Sequence, residues 1–449
     1  MTPSARLEAI LSILGTIGEV RVPMDTVIGD YMRNRRYIGS KDRAFIANRL
    51  YEIVRHKARL EWHAKECGAS HPTPRHIAMA AYYFFDERTQ SNIEKLFDGS
   101  KYGPEALTEA ERIFLGKLQG RVIEPKDMPL LIRTECPLEH AEALQSLFGG
   151  EFEDEMKATL TPAPLDLRVN VFLSPVEEAQ KLLKKDNVET KAGRYSPWAL
   201  RAQDKVHLSR TKAFQKGWVD IQDEGSQLIA LACQVEEGQQ VLDYCAGAGG
   251  KTLALANAMN RKGRIVAMDL DPRRLDKSKQ RFKRAHVSDM IEVRPLSEPR
   301  HKKWVRRQKE SFDRVLVDVP CSGSGTWRRN PDMRWINYGP TLSELLEVQA
   351  EILDKVAHTV KVGGRLIYAT CSLFEAENEA QITKFLEKNS DFELVSLKNN
   401  WPQGHENPCA DDMMHLTPNK HDTDGFFTAV LTRTKSQFDD ADLSRLTSE

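Results

Sequence analysis

The residues best suited to chemistry sit where two apolar runs end. Arg314-Val-Leu-Val-Asp-Val-Pro-Cys-Ser-Gly-Ser-Gly325 puts Asp318 and Cys321 at the join between a β-branched run and a flexible loop. Gly363-Gly-Arg-Leu-Ile-Tyr-Ala-Thr-Cys-Ser372 puts Cys371 at a similar join. Neither run alternates apolar with polar residues, which reads as strands buried on both faces of a parallel sheet. Ligands of such sheets bind at the carboxyl ends of the strands, so an acid and two thiols would meet at one edge. No Cys-x-x-Cys or His spacing accompanies either thiol, so no metal site is expected. Nothing in the chain suggests an oxidising compartment, so a disulfide is not expected either. Thiol chemistry beside a bound ligand is what remains.

A third stretch supplies the ligand. Val241-Leu-Asp-Tyr-Cys-Ala-Gly-Ala-Gly-Gly-Lys-Thr252 reads as a strand, a glycine-rich turn and a helix start. The glycines let backbone approach a ligand, and the helix offers unpaired amides. Asp269 ends the next apolar run, 19 residues after Gly250, where a carboxylate can take ribose hydroxyls. Nicotinamide, flavin and adenosylmethionine enzymes all use such a turn, and the glycine spacing is not that of a nucleotide-triphosphate loop. Of these cofactors, adenosylmethionine accounts for paired thiols. Cytosine carbon 5 is too weak a nucleophile to attack a methyl sulfonium unaided. A thiolate adding to carbon 6 gives carbon 5 enamine character, so covalent catalysis divides one hard step into two easier ones. Cys371 or Cys321 would be that thiolate, and Asp318 would hydrogen-bond or protonate the ring as charge shifts into it.

The elements that must position these residues follow from pattern. The 449 residues are 40% hydrophobic and 29% charged, with 65 basic and 65 acidic side chains, which describes two or three soluble domains rather than a uniformly charged binder. Charge is local instead. Residues 31–60 hold nine Lys/Arg against two acids, a balance of +7; Arg35, Arg36 and Lys41 in this block are candidates for contact with a phosphate backbone. The seven cysteines are scattered, no secretory signal precedes them, and no apolar run approaches the roughly 20 residues that span a bilayer. A cytoplasmic location, no membrane contact and a monomer are expected.

Leu7, Ile10, Leu11, Leu14 and Ile17 fall at helical spacing, and Ala44 to Val54 continue it after a Gly39-Ser40 break that resembles an N-cap. Further helices are expected at 74–85 and 107–118. The character shifts at Pro162-Ala-Pro164. Leu165, Leu167, Val169, Val171 and Leu173 then alternate with mostly polar residues, predicting a strand with one exposed face; Arg168 and Asn170 on that face are further candidates for RNA. A helix is expected at 175–185, then short strands near Val188 and Val206. From Ser226 strands and helices alternate, predicting a doubly wound parallel sheet, closed by a strand at 425–432 pairing antiparallel at the sheet's end. Arg300 to Lys309, with six Lys/Arg, no acid and Trp304, reads as a loop that contacts RNA. Ser436 to Glu449 reads as a disordered acidic tail.

Asp318-Val-Pro-Cys-Ser-Gly-Ser-Gly-Thr-Trp-Arg-Arg-Asn-Pro331, Ala369-Thr-Cys-Ser372 and Glu375-Ala-Glu-Asn-Glu379 together resemble the RsmB/Sun/Fmu family of RNA cytosine-5 methyltransferases. Leu167-Arg-Val-Asn170, Asp220-Ile-Gln-Asp-Glu-Gly-Ser-Gln227, Cys245 to Lys251 and Asp424-Gly-Phe-Phe427 carry the same resemblance. It implies a multidomain α and α/β protein. Residues 1–140 would be a NusB-like helical RNA-binding bundle and 141–225 a small α+β, RRM-like subdomain. Residues 226–435 would be a Rossmann-like class I methyltransferase domain using S-adenosyl-L-methionine, and 436–449 the tail. By the same resemblance Cys371 is the nucleophile and Cys321 helps release the methylated base. Cys245, Ala246, Gly247, Ala248, Gly249, Gly250 and Lys251 would hold the methionine part of the cofactor, Asp269 its ribose, and Asp318 would lie between cofactor and cytosine. Ribosomal RNA of the small subunit (16S) is the implied substrate, with transfer RNA, or a non-catalytic assembly role, as the alternatives. Near the adenine the family usually has an acid, whereas Pro295 and Ser297 stand here.

Overall fold

The computed structural model describes residues 1–204, 206–436 and 438. The chain forms two units, one made of Met1–Pro162 with Trp327–Gly339, the other of Ala163–Thr326 with the chain from Pro340 on. The first unit is helical and includes Pro3–Glu19, Met24–Arg33, Ser40–Arg55, Lys57–Glu66, Pro74–Asp86 and Glu109–Leu118. Leu7, Ile10, Ile13, Ile46, Leu50, Met79 and Leu115 meet in its core, against which Trp335 and Ile336 of the later segment pack. Helices continue through Leu138–Phe148 and Phe152–Ala158, so this unit ends at the Pro162-Ala-Pro164 shift and not at residue 140. Gly39 itself is the N-cap, with no side-chain bond, and Ser40 is the first helical residue.

In the second unit the alternating run gives β1 (Leu165–Val169), shorter than the pattern suggested. It pairs antiparallel with β3 (Ala199–Ala202) and β4 (Val219–Ile221), and β3 pairs with β2 (Thr190–Ala192), giving the order β2-β3-β1-β4. The helix Val176–Lys185 covers one face through Ala179 and Leu183. This small sheet has its own apolar core and lies in the same compact unit as the larger one.

The larger sheet contains β5 (Gln240–Asp243), β6 (Arg264–Asp269), β7 (Ile291–Pro295), β8 (Phe312–Asp318), β9 (Val360–Thr370), β10 (Phe392–Leu394), β11 (Met414–Leu416) and β12 (Phe426–Arg433). The order is β10-β12-β9-β8-β5-β6-β7, with β11 also on β12. β5 to β9 are parallel to their neighbours, and β12 is antiparallel to β9. β12 therefore lies inside the sheet, because β10 pairs beyond it. The unalternating apolar runs are explained by burial on both faces. Leu316 and Ile367 enter one core, while Val315, Val317, Leu366 and Tyr368 enter the other. Two helices that the sequence reading did not place, Leu342–Ala357 and Glu379–Lys388, cover β8 and β9; the first opens with a capping box of Thr341 and Glu344. Pro299–Arg307 is a helix and not the expected loop. Of the expected tail, residue 437 and residues 439–449 lie outside the described residues. Among the described residues no helix is long and apolar enough to cross a membrane.

Candidate active site

Parallel strands carry their final residues to one edge, and four of them end in polar groups there: Asp243 on β5, Asp269 on β6, Asp318 on β8 and Thr370 on β9. β5 pairs with β6 on one side and β8 on the other. The connections leaving it run in opposite directions, and such a reversal opens a crevice over the carboxyl ends.

The turn from Cys245 to Gly250 closes over this crevice. Gly247 and Gly249 have φ of +56° and +79°, a region that L side chains avoid, and a β-carbon on Gly249 would sit 2.5 Å from the Phe282 ring. The Gly247 amide donates to Asp269 (2.8 Å) and the Ala246 amide to the Met268 carbonyl (2.8 Å), which pins the turn to the end of β6. The helix Gly250–Ala258 starts directly after it. From behind, Arg168 donates to the Gly250 carbonyl at 3.0 Å and to Gln222. Arg281 donates to the Ala248 carbonyl at 2.8 Å and pairs with Asp220 at 3.1 Å. Arg168 and Asn170 are fully buried, Asn170 donating to the Gly217 carbonyl and accepting from Arg168 at 3.3 Å. The expected exposed face of β1 is thus wrong: its polar side packs inside the unit and props the glycine turn, so neither residue meets an RNA phosphate. Burial lowers the Arg168 pKa to about 10, which leaves it a cation at neutral pH.

Cys321 and Cys371 come together, Sγ to Sγ 3.3 Å, and both are free thiols. What holds them is Glu377, a fully buried acid that sequence reasoning missed. Its carboxylate accepts from the Ser322 amide (2.8 Å), the Ser322 hydroxyl (2.5 Å), the Ser372 hydroxyl and Gln349 Nε2 (3.0 Å). It therefore fastens the residue after each cysteine to the same group. The only available signal was its place within Glu375 to Glu379. The Gly325 amide donates to the Cys371 carbonyl (2.9 Å), and the Gly425 amide to the Gly325 carbonyl (2.8 Å). A β-carbon on Gly325 would overlap the Gly425 carbonyl. Both glycines are there for this close approach of two backbones.

Lys251 Nζ donates to Asp318 at 2.6 Å, and its side chain is mostly buried. Burial works to lower the Lys251 pKa, but the Asp318 carboxylate in contact and the nearby Cys371 sulfur outweigh it, and the net shift is upward. The lysine is a cation beside the thiol pair. The hydrogen bond to Cys371, together with burial and the negative charge of Glu377, pushes the Cys321 thiol well above its usual range. Burial likewise raises Cys245, aided by the charges of Asp318, Asp243 and Asp269. Asp243 accepts from the Thr252 hydroxyl at 2.6 Å, and burial raises its pKa to about 7.

The remaining candidates lie elsewhere. Of the nine cations at 31–60, Arg49, Arg55 and Arg59 are buried within the helical unit, where Arg49 pairs with Asp86 and Arg55 donates to the Arg328 carbonyl at 2.7 Å. Arg43 donates to the Ile38 carbonyl at 2.7 Å. Arg36 and Lys41 are exposed, and the half-buried Arg35 lies over the Tyr31 ring at 3.7 Å. At the end of β7, Pro295 is in register with Asp269, and Ser297 is exposed. Among the described residues no cluster of His, Cys, Asp and Glu has the form of a metal site.

Residues 229–432 match the family model described as the 16S rRNA methyltransferase RsmB/F. A probable ribosomal RNA small subunit methyltransferase B of Synechocystis is 36% identical over 293 residues, 65% of this chain and 65% of the relative. The ribosomal RNA small subunit methyltransferase B of Photorhabdus laumondii is 31% identical over 290 residues, 65% of this chain and 64% of the relative. The chain thus spans just under two thirds of the length of these relatives. A solved structure described as that of PH0851 is similar with a TM-score of 0.74 and 26% identity, covering 96% of this chain and 99% of the other. Over residues 229–432, this chain is similar to the RsmB/F family of methyltransferases.

Proposed function

We propose that the chain is an S-adenosylmethionine-dependent RNA cytosine-5 methyltransferase, acting on small-subunit ribosomal RNA through a covalent adduct between Cys371 and cytosine carbon 6. The observation that carries this reading is the pair of thiols 3.3 Å apart at the edge that also holds the glycine turn and the Lys251–Asp318 pair. A cofactor-binding fold alone would have no use for both sulfurs.

The cradle suits adenosylmethionine. The left-handed glycines 247 and 249 let the turn pack tightly against Arg274, Ser278 and Phe282, and the first amides of Gly250–Ala258 follow it. Each Asp269 oxygen accepts one backbone amide, from Gly247 or Asp271, and keeps lone pairs for ribose hydroxyls. Cys245 to Lys251 hold the methionine end. When bound, the cofactor supplies an electrophilic methyl group.

The chain's own residues do the rest. Two adjacent thiols do not both ionise readily, and the raised Cys321 keeps its proton. That leaves Cys371 to act as the nucleophile, next to the Cys321 S–H and interacting with the Lys251 ammonium. Its Sγ bonds to carbon 6, and the electron pair of the carbon 5–carbon 6 double bond moves to carbon 5, which would then take the methyl group, the electron pair of the broken carbon–sulfur bond staying on the sulfonium sulfur. Asp318, fixed by Lys251, accepts a hydrogen bond from the ring's amino group and, through a proton shared with N3, balances the charge that enters the ring. Loss of the carbon 5 proton to solvent restores the double bond and expels Cys371. Cys321 donates a hydrogen bond to the departing sulfur, which is its role in release. The base must be unpaired or flipped from its stack for carbon 6 to be reached. Arg35, Arg36 and Lys41 contact the phosphate backbone of the RNA.

Bisulfite sequencing of RNA from cells with and without the gene tests reaction and substrate together. Loss of the methyl group from one small-subunit cytosine is expected. A loss confined to transfer RNA would overturn the substrate, and no loss in any RNA would overturn the reaction.

A further inference from the structure

The helix Pro299–Arg307 and the neighbouring edge strand carry a concentration of charge that the reaction does not use. Residues 271–309 hold fourteen Lys/Arg against five acids in a chain whose total charge is zero. Several of these cations are already engaged: Arg281 and Arg284 with Asp220, Arg294 with Glu292, Arg300 with Glu298. Lys302, Lys303, Arg306 and Arg307 are different. All four are exposed on one helix that contains no acid, and among the described residues none makes an ion pair.

Their spacing works against the helix. Lys302 and Arg306 are four residues apart, as are Lys303 and Arg307, and like charges at that separation repel on a helix surface. The same arrangement suits a polyanion, which is attracted to all four at once. Beside the cations lies a cleft of about 440 Å³ between this helix and β7, lined by Val293, Arg294, His301, Trp304 and Arg307 among others. Arg294 lies over the Trp304 ring at 4.1 Å, and Trp304 is half-buried, so an aromatic and a guanidinium plane are fixed in the wall. Planes of this kind stack on unpaired bases. β7 ends at the same edge as Asp269, and the helix starts four residues after it, so its first turn lies near the cofactor crevice.

We propose that this corner is a second RNA-binding surface: a single-stranded segment of the substrate lays its phosphates along Lys302, Lys303, Arg306 and Arg307 and places one base in the Arg294–Trp304 cleft. Its choice of partner rests on the methyltransferase reading above. Charge complementarity picks out the occupant, because four unpaired cations without an acid leave an acidic backbone as the matching surface.

The test uses the full chain and small-subunit ribosomal RNA from cells lacking the gene. The variant K302A/K303A/R306A/R307A should fold normally, since it removes repulsion from an exposed face. Losing four phosphate contacts should flatten the slope of log affinity against log salt by about 3. The KM for RNA should rise at least tenfold, with kcat within twofold and adenosylmethionine affinity unchanged. Trp304→Ala should weaken RNA binding severalfold without changing the salt slope, because it removes a stack and no charge. An unchanged slope and KM in the fourfold variant would overturn the surface. The two readings fail separately. A wild-type chain that transfers no methyl group to RNA, yet loses its salt slope with the four cations, would refute the methyltransferase and leave the surface standing. Normal transfer with an unchanged slope would do the reverse.

Discussion

Two thiols 3.3 Å apart must divide their labour, because negative charge on one disfavours it on the other. Lys251 sets the direction of that division. Its ammonium is kept by Asp318 at 2.6 Å and interacts with the Cys371 sulfur. Replacing it in Lys251→Met should therefore lower kcat for methylation about tenfold or more at neutral pH, as read in single-turnover assays. An unchanged kcat would mean that Lys251 does not assist the nucleophile. Asp243 offers a separate test through stability. Its carboxyl is raised by burial from 3.8 to about 7, so the folded state binds this proton more tightly than the unfolded chain. The resulting stabilisation is complete below about pH 4 and is lost as pH rises through 7. In Asp243→Asn the loss disappears, so the Tm of wild type minus that of the variant should fall between pH 5 and pH 8. A difference constant across that range would contradict the raised value.

At the scale of elements, the glycine turn is held by a neighbouring sheet. Arg168 on β1 and Asp220 on β4, the latter through Arg281, reach the Gly250 and Ala248 carbonyls. Arg168→Met should weaken adenosylmethionine binding about tenfold or more while leaving the salt dependence of RNA binding unchanged, as read by titration calorimetry and filter binding. A reduced salt slope would instead return Arg168 to the RNA. The strands that carry Asp243, Asp269, Asp318 and Cys371 were legible in the sequence because burial on both faces leaves long apolar runs. The error at β1 has the same physical origin. Alternation reports that two faces differ, and a polar face buried against another sheet looks the same as one in water. Glu377 was illegible for a related reason: one acid among three in Glu375 to Glu379 gives no sign that it alone is turned inward. The helix Pro299–Arg307 was read as a loop because its charge hides the apolar stripe of His301, Trp304 and Val305.

Across the whole molecule, the chain leaves the second unit directly after the Cys321 loop. Trp327–Gly339 belongs to the helical unit, where Trp327 and Arg334 are buried. Arg334 donates to the Glu135 carbonyl at 3.2 Å, Trp335 Nε1 to the Val54 carbonyl at 3.0 Å, and Asp332 accepts from the Met24 amide at 2.7 Å. The helical unit is therefore needed to complete a segment six residues beyond Cys321. A chain starting at Ala163 would expose Trp327 and leave the Arg334 guanidinium without its buried partners, a change of the kind that costs several kcal/mol. It should bind hydrophobic dye, melt at lower temperature and methylate at less than a hundredth of the full rate. A fully active, stable fragment would show that the two units are independent.

The most direct test of the central claim is a denaturing gel of the Cys321→Ala chain incubated with substrate RNA and adenosylmethionine. With Cys371 as nucleophile and Cys321 needed for release, a covalent protein–RNA species should accumulate and should vanish in Cys321→Ala/Cys371→Ala. A species that persists without Cys371, or no covalent species while methylation continues, would contradict the account.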